Sequence, residues 1–252
     1  MKIATWNVNS LKVRLPHVLD WLASAQPDAL CLQELKCENK NFPLAEIEAA
    51  GYHALFNGQK TYNGVAILSR KPLENPVLDI PGFEDEQKRI VAGSLDGVRI
   101  ISAYFPNGQA AGSEKFAYKM RWLEALNGWL AAELAAHPAL VLAGDYNIAP
   151  EDRDAHADWK DEIHVSVPER AAFQSLLGLG LTDAFRLFEQ PEKSYSWWDY
   201  RLFAFRRNFG LRIDHLLVSE PLVARSQACT IDKAPRKLER PSDHTPVVLE
   251  LA

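Results

Sequence analysis

Residues 89–104 read RIVAGSLDGVRIISAY and contain two short apolar runs, Arg89–Leu95 and Val98–Tyr104, which only Asp96 and Gly97 separate. A third run, Val65–Ser69, precedes them without a predicted helix in between. Strands joined without an intervening helix pair as antiparallel neighbours, so a regular alternation of strands and helices is excluded. The stretch predicts a mixed, largely antiparallel sheet system covered by helices, in an α/β sandwich rather than a barrel.

Similar runs rich in β-branched residues recur along the chain between turn residues. They are Ile3–Trp6, Ala29–Gln33, Ala139–Ala143, Leu211–Ser219 and Thr245–Leu251. Helical periodicity predicts helices over Leu15–Ala25, Ser113–Ala136 and Pro168–Leu179. Because no linker-like tract and no internal repeat divides the sequence, we expect one domain over residues 1–252.

The composition limits the class of protein. Of 252 residues, 47% are hydrophobic and 24% are charged, which is typical of a globular chain and excludes a disordered one. Lys and Arg total 28 against 33 Asp and Glu, so the formal net charge is −5. Because phosphate binding over a whole surface requires a basic protein, this charge argues against non-specific nucleic-acid binding.

The cysteines and the N-terminus bear on the cellular setting. Cys31, Cys37 and Cys229 form neither a disulfide framework nor a zinc-binding pattern. The first residues, MKIATWNVNS, lack the apolar run of a signal peptide, and no stretch is as long as a membrane span. We therefore expect a reducing, cytoplasmic setting and no membrane partner.

Polar residues collect at the ends of the predicted strands. They are Asn7, Glu34, Tyr104, Asp145 and Asn147 at C-terminal ends, and Asp214, Asp243 and His244 near strand starts. In a mixed sheet, the starts of some strands share a rim with the ends of others, so one rim could collect them all. Each feature alone is typical of a turn or a solvated cap. Together they provide the carboxylates, amides and histidine that metal-assisted chemistry on a phosphate ester requires.

Six sequence blocks carry a family resemblance. They are TWNVN at 5–9, LQELK at 32–36, YFPNG at 104–108, GDYNI at 144–148, GLRID at 210–214 and PSDHTP at 241–246. In this order they resemble the signature blocks of the exonuclease III family of DNA-repair exonucleases and apurinic/apyrimidinic (AP) endonucleases. The resemblance covers the chain from residue 3 to residue 251. It implies a four-layer αββα sandwich of two packed mixed β-sheets (DNase I-like), and hydrolysis of DNA phosphodiesters with Mg²⁺, or Mn²⁺ as a substitute.

The resemblance also implies a metal site on the rim. Glu34 would be the principal metal ligand, assisted by Asn7 and Asp243. A divalent cation there would neutralise charge that develops on the phosphate oxygens during hydrolysis. Magnesium prefers few carboxylates and several waters, which fits one strong acidic ligand with weaker helpers.

The remaining rim residues are implied to take part in the chemistry. His244 would bind the scissile phosphate or act as an acid or base, and Asp214 would fix its tautomer. Asp145 would align or deprotonate the attacking water, and Asn147 would contact a phosphate oxygen. Tyr104 would donate to the phosphate or stabilise the leaving oxygen. The sequence leaves open whether Asp145 or His244 removes the proton from water.

Aromatic and basic residues are expected to face DNA. In the segment YSWWDYR at 195–201, we expect Trp197 to face the substrate together with Leu211 and Ile213. Its neighbour Trp198 is expected to fill the core. Further expected phosphate contacts are Asn107, Arg201 and Arg212, the last two within a basic group of residues 201–212. A second basic group lies at residues 236–240.

The segment DWKDEIHVS at 158–166 is expected to sort substrates. His164 is a candidate specificity residue, because a bulky side chain beside the recess would obstruct an AP site and leave a 3′ end accessible. The alternative is that His164 is a solvated loop residue.

The sequence therefore predicts a monomeric, metal-dependent DNA-repair phosphodiesterase. It would act on double-stranded DNA at 3′ ends, as a 3′–5′ exonuclease and 3′-phosphatase, and 5′ to abasic sites, with the balance open. Relatives that act on RNA tails, phosphoinositides or sphingolipid head groups are an alternative, which Trp197, Trp198 and Asp214 disfavour. A DNA-binding scaffold with a dead site would lack one of Glu34, Asp145, Asn147, Asp214 or His244, and all five are present.

Overall fold

Two six-stranded β-sheets form the centre of the computed structural model, which describes residues 1–252. In spatial order, the first sheet contains β11 (Ser226–Ile231), β12 (Val247–Leu251), β1 (Lys2–Asn7), β2 (Ala29–Gln33), β4 (Val65–Ser69) and β3 (His53–Asn57). The second contains β5 (Glu74–Val77), β6 (Ile90–Leu95), β7 (Val98–Tyr104), β8 (Leu140–Asp145), β10 (Asp214–Ser219) and β9 (Leu181–Asp183). The helices are α1 (Leu11–Ala25), α2 (Leu44–Ala49), α3 (Glu114–Ala136), α4 (Val167–Gly178) and α5 (Glu220–Val223).

Each sheet is mixed, as predicted. One parallel pair lies in each sheet, β1–β2 in the first and β7–β8 in the second, and the other neighbours are antiparallel. The hairpin of residues 89–104 forms as expected, with Leu95 paired to Val98. Asp96 and Gly97 between them have φ values of 48° and 81°, which suit a two-residue hairpin turn.

Three apolar layers show that the strands are buried on both faces. Alternate residues of β7 point to opposite sides, with Ile100 in the core between the sheets and Ile101 in the core under α3. A third core packs Trp6 of β1 and Leu30 of β2 against α1. The order helix, sheet, sheet, helix confirms the predicted four-layer αββα sandwich.

Several predicted boundaries move. The apolar run at 211–219 becomes a strand only from Asp214, because Leu211 instead forms isolated bridges to Ala155 and Trp197. Helix α1 begins at Leu11 rather than Leu15, and Pro16 lies inside it. Strand β8 extends through Asp145, so this carboxylate stands on the last strand residue rather than in a turn.

Four strands and two helices of the structure have no clear pattern in the sequence and were not predicted. The missed strands are β3, β5, β9 and β11, and the missed helices are α2 and α5. These elements are short, and β5 (ENPV) is largely exposed, so neither a helical nor a two-residue apolar pattern stands out. No helix combines the length and the apolarity that crossing a membrane requires.

Gly144 permits the close pairing of β7 and β8 next to the polar rim. A Cβ atom at this position would lie 1.9 Å from the carbonyl oxygen of Ala103. Because that oxygen belongs to the backbone of the paired strand, it cannot move aside without disturbing the sheet. Glycine is therefore required one residue before Asp145.

We expect Gly144→Ala to lower the free energy of unfolding by about 3 kcal/mol or more, because the added methyl group collides with backbone. Gly128→Ala is the matched control, since Gly128 lies in α3 and an added Cβ there meets nothing within 4 Å. That control should stabilise the protein by about 0.5–1 kcal/mol. Urea denaturation midpoints measure both effects, and equal midpoints for Gly144→Ala and the wild type would contradict the steric argument.

Candidate active site

The polar rim predicted from the sequence forms where the two sheets meet. Asn7 ends β1, Tyr104 ends β7 and Asp145 ends β8, while Asp214 begins β10. Because β10 runs antiparallel to β8, Asp214 pairs directly with Asp145. The parallel neighbour β7 places Tyr104 beside Asp145 in the same way. Strand direction alone therefore gathers side chains that are far apart in the sequence.

Glu34 follows β2 and is fixed by its neighbours. Its φ is +54°, a left-handed conformation that is uncommon for a residue other than glycine. The carboxylate accepts hydrogen bonds at Oε1 from Asn7 Nδ2 (2.8 Å) and from the Tyr104 hydroxyl (3.1 Å). Its other oxygen lies 2.9 Å from Lys36 Nζ. Both oxygens are thus held toward the rim.

Asp145, Asp214 and His244 form a buried line of charges. His244 Nδ1 lies 2.9 Å from Asp214 Oδ2, and His244 Nε2 lies 3.7 Å from Asp145 Oδ2. Ser196 Oγ donates to Asp214 Oδ2 at 2.6 Å and accepts from the backbone amides of Ile213 and Asp214. Ser196 orients Asp214 as Asp214 orients the imidazole, and the sequence analysis did not predict this role. Its only signal was a hydroxyl beside the predicted DNA-facing tryptophan.

Burial and neighbouring charges determine which side chains of this line carry a proton. Burial lowers the pKa of His244, but the Asp214 and Asp145 carboxylates outweigh burial and raise that pKa to about 10. Burial raises the pKa of Asp145 to about 7, against the opposing effect of the His244 charge. Burial and the Glu34 charge raise the pKa of Tyr104 well above its usual value, so its hydroxyl remains a donor.

Glu34, Asp145 and His244 contribute ligand atoms that lie within 4.8 Å of one another. The two carboxylates suit a hard divalent cation, which takes oxygen ligands and retains several waters. Asn7 Nδ2 donates to both carboxylates, at 2.8 Å to Glu34 and 2.9 Å to Asp145. Asp243, expected as a helper ligand, lies outside this cluster, and its oxygens accept from Asn9 Nδ2 and Trp197 Nε1.

Asn147 and His164 line the next part of the rim. Asn107 Nδ2 donates to Asn147 Oδ1 at 3.1 Å, which brings these two predicted phosphate contacts together. His164 is only 6% exposed, and its Nδ1 lies 2.8 Å from the Asn147 carbonyl oxygen. Burial, helped by the Lys119 charge, lowers the pKa of His164 to about 4. The structure thus contradicts the alternative that His164 is a solvated loop residue.

The aromatic segment divides as predicted between site and core. Trp198 is fully buried, whereas Trp197 is partly exposed, with its ring centroid 6.5 Å from that of His244. Leu211 and Ile213 are 0% and 2% exposed and pack in a small apolar cluster beneath Trp197. The expectation that these two side chains contact DNA is therefore wrong, because they support the tryptophan from below.

The two arginines expected to bind phosphate differ. Arg201 is exposed and pairs with Asp199 at 2.6 Å. Arg212 is 1% exposed, and its guanidinium contacts Asp154 and Asp183, each at 2.7 Å. The expected phosphate contact of Arg212 is wrong, because two carboxylates already hold it in the interior.

Comparisons with known proteins agree with this geometry. The family model of the Endonuclease/Exonuclease/phosphatase family matches residues 4–244. Exodeoxyribonuclease III of Haemophilus influenzae is 36% identical over 269 residues, which cover 99% of each chain. The solved structure of the Neisseria 3′ phosphatase NExo, bound to a product DNA hairpin, has a TM-score of 0.97 at 47% identity and covers 100% of this chain and 99% of that one. An AP endonuclease from Archaeoglobus fulgidus has a TM-score of 0.96 at 38% identity, with 100% and 99% covered.

A third buried histidine, His215, lies on β10. Its Nδ1 accepts a hydrogen bond from Arg212 Nη1 at 3.1 Å, so Nε2 carries the hydrogen donated to the Ile148 carbonyl at 2.9 Å. Burial and the Arg212 charge lower the pKa of His215 from its ordinary value of 6.5 to about 4. The folded protein therefore keeps this imidazole neutral.

This neutral imidazole predicts a pH dependence of stability. Between pH 6.5 and pH 4 the unfolded chain binds a proton at residue 215 and the folded chain does not. The free energy of unfolding therefore falls as the pH falls. The loss from His215 reaches about 3 kcal/mol, and His215→Gln should remove that part, which makes the dependence on pH shallower while the similar contribution of His164 remains. Urea titrations at several pH values measure it, with exposed His53→Gln as control. An unchanged slope in His215→Gln would refute the assignment.

Proposed function

The chain belongs to the Endonuclease/Exonuclease/phosphatase family, and we infer that it is a DNA-repair hydrolase that cleaves phosphate ester bonds at 3′ ends of double-stranded DNA. The observation that carries this function is the rim that unites Glu34, Asp145 and the Asp214–His244 pair. Relatives solved or named as exodeoxyribonuclease III and 3′ phosphatase match over nearly the whole chain. The fold alone would not distinguish substrates, so the site carries the argument.

We propose Glu34 as the principal metal ligand, with Asn7 orienting the Glu34 and Asp145 carboxylates and Asp243 at the edge of the site. Magnesium is the proposed ion, with manganese as a substitute, because the site offers oxygen atoms as metal ligands and few carboxylates. A bound divalent cation supplies charge neutralisation at the phosphate oxygens. Lys36 beside Glu34 adds a positive charge at the same place.

The protonation states divide the roles of His244 and Asp145. His244 carries a proton at neutral pH and faces the rim through Nε2, which suits binding an anionic phosphate oxygen. Asp145, with a pKa raised to about 7, suits accepting the proton of the attacking water. Tyr104 remains a hydroxyl donor next to Glu34, positioned to stabilise a phosphate or leaving oxygen.

The DNA contacts proposed for this chain lie around the rim. Trp197 provides an aromatic face for the sugar at the 3′ end, and Asn147 and Asn107 provide amides for phosphate. A groove of about 640 Å³, which Lys36 connects to Glu34, is lined by four lysines and two glutamates and is therefore positively charged; these residues are Lys12, Lys36, Lys40, Lys60, Glu38 and Glu46. Arg201, which is exposed and pairs with Asp199 at 2.6 Å, is a further proposed phosphate contact. Double-stranded DNA thus contacts local basic groups on a protein whose net charge is negative. We propose that the protein acts as a monomer in the cytoplasm.

His164 bears on the choice between 3′ ends and abasic sites. It packs on Asn147 and projects an unprotonated Nε2 from a neutral ring beside the phosphate-binding amides. We place 3′-end cleavage first and incision 5′ to an abasic site second, because this side chain occupies space that a flanking nucleotide needs. The AP endonuclease among the structural relatives shows that the fold is compatible with both activities.

The function predicts magnesium-dependent hydrolysis of three duplexes: a 3′-recessed end, a 3′-phosphate end and an internal abasic analogue. Glu34→Ala and His244→Ala should each reduce cleavage at least about 10²-fold, because each removes a group that stabilises charge at the phosphate. Glu124→Ala, which removes an exposed acidic residue of α3 away from the proposed DNA contacts, is the matched control. Folded wild-type protein that hydrolyses none of the three duplexes would refute the repair function.

We expect His164→Gly to raise the ratio of abasic-site to 3′-end cleavage by about tenfold, because the substitution empties the recess. Glycine suits the position, since residue 164 has a φ of +73°. His156→Gly, in the same connecting segment, should leave the ratio unchanged. The measurement is kcat/KM on both duplexes, and an unaltered ratio in His164→Gly would exclude the obstruction.

A further inference from the structure

A buried ion pair lies directly beneath the site and is not part of its charge line. Lys119 of α3 and Glu169 of α4 are both 0% exposed in their side chains, and Lys119 Nζ lies 2.5 Å from Glu169 Oε1. Removing two charges from water is costly, and well-packed apolar side chains would often be as stable. Glu169 also closes the capping box of α4 with Ser166, which accounts for its carboxylate at the helix start, but helix packing does not account for the buried charge of Lys119.

The remaining polar contacts of Lys119 lead to the site. Its ammonium donates to the backbone carbonyls of Asn147 (2.7 Å) and Asn107 (3.3 Å). These two turns carry the amides proposed to bind phosphate. With Glu169 as its third partner, the ammonium uses all three of its hydrogens.

Glu169 leads to the segment that carries His164. Its carboxylate accepts the backbone amides of His164 and Ser166, each at 3.1 Å, and the Ser166 hydroxyl at 2.6 Å. His164 in turn bonds through Nδ1 to the same Asn147 carbonyl that Lys119 contacts. Gly108 also packs on this unit, since a Cβ there would lie 3.1 Å from both Lys119 Cδ and Ile163 Cδ1.

We propose that Lys119 and Glu169 are positioning residues whose ion pair locks the Asn107 turn, the Asn147 turn and the His164 segment into one unit that sets substrate discrimination. The proposal rests on the proposed function, because the discrimination concerns 3′ ends against abasic sites. One ammonium and one carboxylate join these three loops from the interior side, and a backbone hydrogen bond from Ala149 N to His164 O (2.7 Å) also links two of them. Loss of the pair frees His164 to leave the recess while the Glu34, Asp145 and His244 line remains in place.

The test separates positioning from stability through a double variant. Lys119→Met/Glu169→Gln leaves no unpaired buried charge, so it should fold, yet both carbonyls lose their donor. We expect the ratio of abasic-site to 3′-phosphate kcat/KM to rise at least about tenfold, with a higher KM for both duplexes. The matched control is Arg99→Met/Glu133→Gln, which removes the buried Arg99–Glu133 pair between β7 and α3 (2.6 Å), and its ratio should equal that of the wild type.

A double-mutant cycle with His164→Gly identifies the route. If the pair acts through His164, adding His164→Gly to the double variant should change the ratio no further, because both changes empty the same recess. Additive effects, or a wild-type ratio in the folded double variant, would overturn the proposal. Should the double variant not fold, Glu169→Asp, which keeps the buried charges paired but shortens the side chain that holds the His164 amide, must shift the ratio in the same direction. If the wild-type protein cleaves neither duplex, the proposed function itself is wrong. If only the positioning proposal is wrong, the wild-type protein still cleaves its duplexes.

Discussion

The placement of two buried carboxylates, Asp145 and Asp214, and the partly buried Glu34 around one imidazole is the constraint on which the rest of the site depends. Carboxylates this close repel one another and are poorly solvated, so each must be offset by a fixed donor or a positive charge. His244 offsets the first two, and Asn7, Tyr104 and Lys36 surround the third. A rim that concentrates negative charge in this way is suited to hold a divalent cation and, through it, a phosphate ester. The mutual repulsion of the carboxylates destabilises the rim when positive charge is lacking, and the same repulsion gives the rim its affinity for a cation.

Strand direction explains why so much of the rim was predictable from the sequence. Asn7, Tyr104 and Asp145 end their strands, and Asp214 begins the antiparallel neighbour, so a correct division into strands brings these residues to one edge. Successive side chains of β7 and β8 point alternately into two apolar cores, so both strands appear in the sequence as continuous apolar runs. Short elements such as β5 have no such pattern, because their exposed residues carry no periodic signal.

Arg212 shows what the sequence cannot reveal. Its position among basic residues favours a phosphate contact, but its partners Asp154 and Asp183 lie 58 and 29 positions away in the chain. Nothing local distinguishes an arginine that faces DNA from one enclosed by two distant carboxylates. The same holds for Lys119 and Glu169, which are 50 residues apart and look like surface charges of two amphipathic helices. Long-range pairing of charges decides these cases, and only the fold specifies it.

The net charge of −5 acquires a different meaning once the charges are placed. Part of the acidic excess is concentrated on the rim, where a cation would offset it, and Arg212 is removed from the surface altogether. Exposed basic side chains remain in local groups, among them the lysine groove beside Glu34 and Arg201, Arg206, Arg207, Lys237 and Arg240. Phosphate contacts position DNA without distinguishing one site from another, so selectivity must come from the shape of the site. That requirement gives a physical reason for anchoring these loops to a buried ion pair: side chains that discriminate by shape have to be held rigidly, and the pair holds the backbones of Asn107, Asn147 and His164 from the interior.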